Sequence, residues 1–95
     1  MPKPKRPRAV SPKVIDKSVL ASAISEILVD RGLNQTEAAE VMRDAPSQVS
    51  LVVNGRLDGF SPERLMRMLT LLGRDVEIRI MKAKRSPGRV RVVRR

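Results

Sequence analysis

Ser47 and Gln48 follow Pro46 in the run PSQVSL, and Leu51 comes one helical turn after them. These side chains supply what is needed to read the edge of a base pair. A glutamine amide can pair bidentately with adenine, a serine hydroxyl can bond several base edges, and an aliphatic side chain can meet the thymine methyl. Covalent chemistry has little to work with, because the chain holds no Cys and no His. Thiol catalysis, disulfides, cysteine metal sites and the commonest acid-base and metal-ligating side chain are therefore missing. The carboxylates fall on capping or outward positions without an acid-base pair, so no catalytic residue, metal or cofactor is expected, and the chain reads as a non-enzyme.

Base reading requires Pro46, Ser47 and Gln48 to stand at the free N-terminal tip of a helix. Pro46 suits a first-turn position, where its missing N–H would be unbonded in any case. Asn54 and Gly55 supply a left-handed exit, and Val49, Val52 and Val53 are the expected inward side. This β-branched run lowers helix propensity, so tertiary packing must hold the segment. A second helix precedes it, with Asn34 as N-cap and Glu37 three residues on as the return half of a capping box. Ala38, Val41 and Met42 form its inward side, and the small Ala39 falls where two crossing helices approach most closely. From Gln35 to Gly55 the pattern is that of a helix-turn-helix. Gln35, opening the first of its helices, directs backbone and side-chain donors to where a DNA phosphate would lie. A plain helical hairpin could carry the same pattern; the closing Asn-Gly and the basic ends of the chain favour DNA.

Before this motif, a helix from Lys17 or Ser18 to Arg31 carries Leu20, Ala23, Ile24, Ile27 and Leu28 on one stripe and stops at Gly32. After it, Ser61, Pro62 and Glu63 open a helix bearing Leu65, Met66, Met68, Leu69 and Leu72 as far as Gly73. The period then changes: Val76, Ile78 and Ile80 alternate with Asp75, Glu77 and Arg79, which predicts a half-buried β-strand. Ser86, Pro87 and Gly88 make a turn signal, beyond which residues 89 to 93 could form a second strand, with Val90 and Val92 on one side. The expected fold is mainly α: a small helix-turn-helix bundle of four to five helices with a C-terminal β-strand paired across a dimer. Residues 1 to 17 read as a flexible basic arm, 18 to 73 as the DNA-binding domain, and 74 to 95 as a dimerisation strand and basic tail. The pairing residues are Val76, Glu77, Ile78, Arg79 and Ile80. A twofold axis at Ile78 would set Val76 against Ile80 and Glu77 against Arg79 of the second copy.

The net charge is +10 in 95 residues, and it is unevenly placed. Residues 1 to 17 carry +5 and residues 79 to 95 carry +8, whereas residues 18 to 78 carry −3. Cationic arms on a mildly acidic body suit a polyanion, because every neutralised phosphate releases counterions. The single aromatic residue, Phe60, argues against single-stranded or RNA targets, which stack bases on several exposed rings. The apolar stretches are short and interrupted by charge, which predicts no membrane span, and the N-terminus lacks the apolar segment of a secretory signal, so a cytoplasmic location is expected.

The strings QTEAAEVM, PSQVSLVVNG and GRLDGFSPERLMRMLTLLGRDVEI resemble the Xre family of lambda-repressor-like helix-turn-helix regulators, particularly its short HigA-like antitoxin branch. The resemblance covers about Ser18 to Ile80 and is most specific from Asn54 through Ile78. It implies a compact helical domain followed by a strand. It also implies DNA contacts at Gln35, Ser47, Gln48, Leu51 and Asn54, with Arg56 near the backbone. Arg43 stands where the family's turn prefers Gly, and Asp44 where it prefers an apolar residue; Arg43 could add a phosphate contact and Asp44 could cap the following helix. The function expected is that of a homodimeric, sequence-specific repressor binding duplex DNA at a palindromic operator. The resemblance adds the role of antitoxin in a type II toxin-antitoxin pair, with a small RelE-like toxin as partner. The alternatives are a toxin-neutralising module with incidental DNA binding, and an RNA-binding basic accessory protein.

Overall fold

The computed structural model describes residues 15 to 94. Among them are four helices: α1 (Lys17–Asp30), α2 (Gln35–Met42), α3 (Pro46–Val53) and α4 (Pro62–Leu71). Most of the boundaries follow from local chemistry. Asp16 caps α1, its carboxylate accepting from the Ser18 N–H and hydroxyl. These bonds, the hydroxyl's first, hold the Asp16 carboxyl below its ordinary value. The expected basic arm of residues 1 to 17 therefore ends inside an ordered helix start, and its residues 1 to 14 lie outside the described residues. The α1 helix closes at Arg31, and Gly32 follows at φ +64°, a conformation that costs glycine little. The α2 capping box is complete: Asn34 accepts from the Glu37 N–H at 2.8 Å, and Glu37 accepts from the Asn34 N–H at 3.0 Å.

The α1 helix packs on α4 and α3, and α2 packs on α3 and α4. Between them lies one core that includes Leu20, Ile24, Ile27, Ala38, Val49, Val52, Phe60, Leu65 and Met68. Burying a large aliphatic side chain of this kind stabilises by roughly 1.5–3 kcal/mol. Ala39 is buried, as the close approach of α2 to α3 requires. Val53 departs from expectation and is exposed, because the inward stripe of α3 runs through Val49 and Val52 and the next position falls on its solvent edge. Two long-range polar ties fix the ends of the bundle. The Lys17 ammonium donates to the carbonyls of Leu57 at 3.0 Å and Phe60 at 2.9 Å, holding the α3–α4 loop against the start of α1. Arg31 reaches the Leu72 carbonyl at the end of α4.

The expected C-terminal strands do not form. Residues 74 to 81 form no regular element and have no ladder partner among the described residues. Ile78 is 74% exposed and Ile80 98%, so the alternating pattern buries no face in a single chain. A strand is defined by its ladder, and one segment alone leaves its N–H and C=O groups to water. The intrachain hairpin with residues 89 to 93 is absent as well, because that segment goes elsewhere: Val92 rests against the core, and Arg94 forms a two-pronged ion pair with Glu26 on α1 at 2.7 and 3.1 Å.

Candidate nucleic-acid interface

The turn between α2 and α3 is made by Arg43 in the left-handed conformation, φ 55° and ψ 51°. The Asp44 N–H then returns to the Ala39 carbonyl at 2.9 Å, closing α2. A side chain at this conformation costs about 1 kcal/mol relative to glycine. Arg43→Gly should therefore raise the stability of the domain by up to about 1 kcal/mol in urea unfolding while weakening DNA binding through loss of an exposed cation. A lower urea midpoint would instead show the arginine side chain holding the turn.

The α3 helix begins with Pro46 in its first turn and no side-chain cap from its N-cap residue, Ala45. Asp44 sits one position too early to cap as expected; its carboxylate accepts from the Ala45 N–H at 2.9 Å. Pro46 and Ser47 are exposed and Gln48 is half-buried, so the N-terminal tip of α3 is open to a groove. Leu51 is less available than its helical position suggests, being half-buried and packed on the core. Asn54 is exposed, but its amide donates to the Ser50 carbonyl at 2.8 Å, which commits part of its donor capacity to α3 itself. Gln35 is exposed at the first turn of α2. Beside it the N–H groups of Gln35 and Thr36 precede any intrahelical partner, so they face outward as donors. Arg56 is exposed just after α3, its backbone N–H closing that helix on the Leu51 carbonyl at 2.9 Å. Val76, Glu77, Ile78, Arg79 and Ile80 lie outside the bundle, with Glu77 and Arg79 ion-paired to each other.

Arg64 belongs to the site although it stands outside the helix-turn-helix motif. From the first turn of α4 its guanidinium lies over the Phe60 ring, 4.4 Å from the centroid. Its Nη2 donates to Asp44 Oδ2 at 2.7 Å and to Gln48 Oε1 at 3.2 Å. A cation near a helix N-terminus opposes the helix dipole, and this was the available signal that Arg64 has another task. Its partners lie 20 and 16 residues away, beyond the reach of any local pattern. Partial burial disfavours the Asp44 carboxylate, but the Arg64 hydrogen bond, the Ala45 N–H and the Arg64 charge together outweigh it and hold the carboxyl below its ordinary value of 3.8. The pair's contribution to stability is thus fully present at neutral pH and is lost only as pH falls below about 4. Phe60 is buried, which removes the chain's one aromatic ring from any base-stacking role.

An open tip on the second of two packed helices, with outward-facing donors at the start of the first, is the geometry of a helix-turn-helix. The chain belongs to the helix-turn-helix domain family, whose model it matches over residues 12–81. It is also similar to a solved structure described as "Putative XRE Family Transcriptional Regulator", at 37% identity and a TM-score of 0.75, over 92% of this chain and 96% of that one. No curated protein matches the chain. No helix among the described residues is long and apolar enough to cross a membrane.

Proposed function

We propose that this protein is a sequence-specific transcriptional repressor that binds duplex DNA through the tip of α3. The observation that carries the reading is the exposed pair Pro46 and Ser47 with Gln48 beside it, on the second helix of a helix-turn-helix, in a chain of net charge +10. Ser47 and Gln48 read bases, with Leu51 marginal because much of its surface faces the core. Gln35, Arg43 and Arg56 hold phosphates, and Asn54 contributes what its bond to Ser50 leaves free. Two copies on a palindromic operator would be joined through residues 76 to 80, whose exposed apolar row is self-complementary about Ile78. The resemblance to HigA-like antitoxins extends the reading to one half of a type II pair. A gene for a small RelE-like toxin beside this one, and capture of that toxin by this chain, are the expected findings. RNA binding by base stacking has no support, since the only aromatic ring is buried.

Gln48→Ala should relax preference at one base pair by about 1–3 kcal/mol, whereas Arg56→Ala should weaken all sequences alike. Selection from random duplex DNA reads both effects. An unchanged motif for Gln48→Ala would remove Gln48 from the base-reading set.

A further inference from the structure

We propose that Arg64 is a positioning residue that sets the specificity of Gln48, converting its amide from a mixed donor-acceptor into a donor offered to base-edge acceptors. This rests on the DNA-reading function proposed above. Arginine has donors only, so the Gln48 atom that faces Arg64 Nη2 at 3.2 Å must be the amide oxygen. The amide nitrogen, on the other arm, has no hydrogen-bond partner among the described residues. It is not a buried orphan either, since no buried side-chain nitrogen or oxygen lacks a partner. It is therefore a solvent-accessible donor on the first turn of α3. The guanidinium that fixes it is itself fixed on two sides, by Asp44 Oδ2 at 2.7 Å and by the buried Phe60 ring at 4.4 Å. A glutamine held this way has its oxygen turned back into the protein, and the bidentate pairing with adenine expected of a free glutamine is disfavoured. The edges that fit a single presented donor are acceptors, guanine N7 and O6 foremost and thymine O4 next.

The test is selection of binding sites from random duplex DNA by the full chain, with wild type, Gln48→Ala, Gln48→Glu, Arg64→Met and the double variant Gln48→Ala/Arg64→Met. Wild type should select guanine or thymine at the base pair whose preference Gln48→Ala abolishes. Arg64→Met should change the preference at that same base pair by about tenfold, with adenine rising as the freed amide regains its acceptor. The double variant should then match Gln48→Ala alone. Gln48→Glu keeps the bond to Arg64 but presents an acceptor, so its preference should move to the cytosine amino group. Circular dichroism and thermal melting establish that Arg64→Met is folded; if it is not, Gln48→Glu carries the test, since its side chain is only half-buried. Adenine at the wild-type position, a wild-type motif in folded Arg64→Met, or the wild-type base retained by Gln48→Glu would each overturn the proposal while leaving DNA reading intact. A uniform loss of affinity in Arg64→Met with the motif unchanged would show a merely structural role and overturn it likewise. Absence of any wild-type motif would overturn the DNA-reading function as well.

Discussion

Replacing Ile78 with proline should leave the four helices folded and make the protein a monomer whose affinity for a palindromic site collapses. Ile78 is 74% exposed and lies beyond the end of α4, so its loss removes nothing from the core. Proline removes one ladder donor at the proposed twofold axis and prevents regular pairing on either side of it. In that proposed pairing Val76 would meet Ile80 and Glu77 would meet Arg79 of the second copy, the Glu77–Arg79 pair within one chain being exchanged for two between chains. Each such cross-strand pair contributes roughly 0.2–1 kcal/mol. The larger effect would be on DNA, because a dimer that sets two recognition helices about one DNA turn, roughly 34 Å, apart would engage both half-sites at once. Sedimentation should show wild-type dimer and Ile78→Pro monomer at unchanged helix content. A dimeric Ile78→Pro protein would place the interface on the helices instead.

Removing the cationic ends should flatten the dependence of DNA affinity on salt. The segment from residue 18 to 78 carries −3, so its net charge supplies no long-range attraction to phosphate. The variant to compare lacks residues 1 to 14 and carries glutamine at Lys82, Lys84, Arg85, Arg89 and Arg91. It retains Val92 and Arg94, which are anchored on the bundle and whose removal would confuse charge with packing. For every phosphate that the variant no longer neutralises, the slope of log affinity against log salt should fall by about 0.9. A protein that neutralises roughly 6 to 10 phosphates binds about a thousandfold or more weaker at 200 mM salt than at 50 mM, so the truncated and neutralised chain should be far less sensitive over the same range. An unchanged slope would make the ends solubilising segments only.

The helices were legible because their signals are local. Asn34 and Glu37 mark the start of α2 within four residues, Pro46 marks that of α3, and Gly55 at φ +75° ends the motif where Asn-Gly stands in the sequence. The open tip of α3 followed from the same signals. What was not legible is whatever depends on partners distant in sequence. The alternation of Val76, Ile78 and Ile80 records that a face exists, but a strand also needs a ladder partner, and among the described residues of one chain none is supplied. Gln48 presented itself as a free adenine reader because Arg64 lies a helix away. Lys17 looked like the last charge of a basic arm, whereas its ammonium is spent on the Leu57 and Phe60 carbonyls. Leu51 occupied an outward-looking position that packing on the core partly closes.

The proposed function stands on the tip of α3 reading the sequence of duplex DNA. The most direct test is to select binding sites from random duplexes with the wild-type chain, then compare its affinity for the enriched site and a scrambled one at fixed salt. The ratio should be roughly a thousandfold or more, the site should be palindromic with half-sites about 10 base pairs apart, and Ser47→Ala/Gln48→Ala should abolish most of that ratio while retaining salt-dependent binding to both duplexes. A wild-type protein that enriches no site, or whose preference survives the double substitution, would contradict the claim.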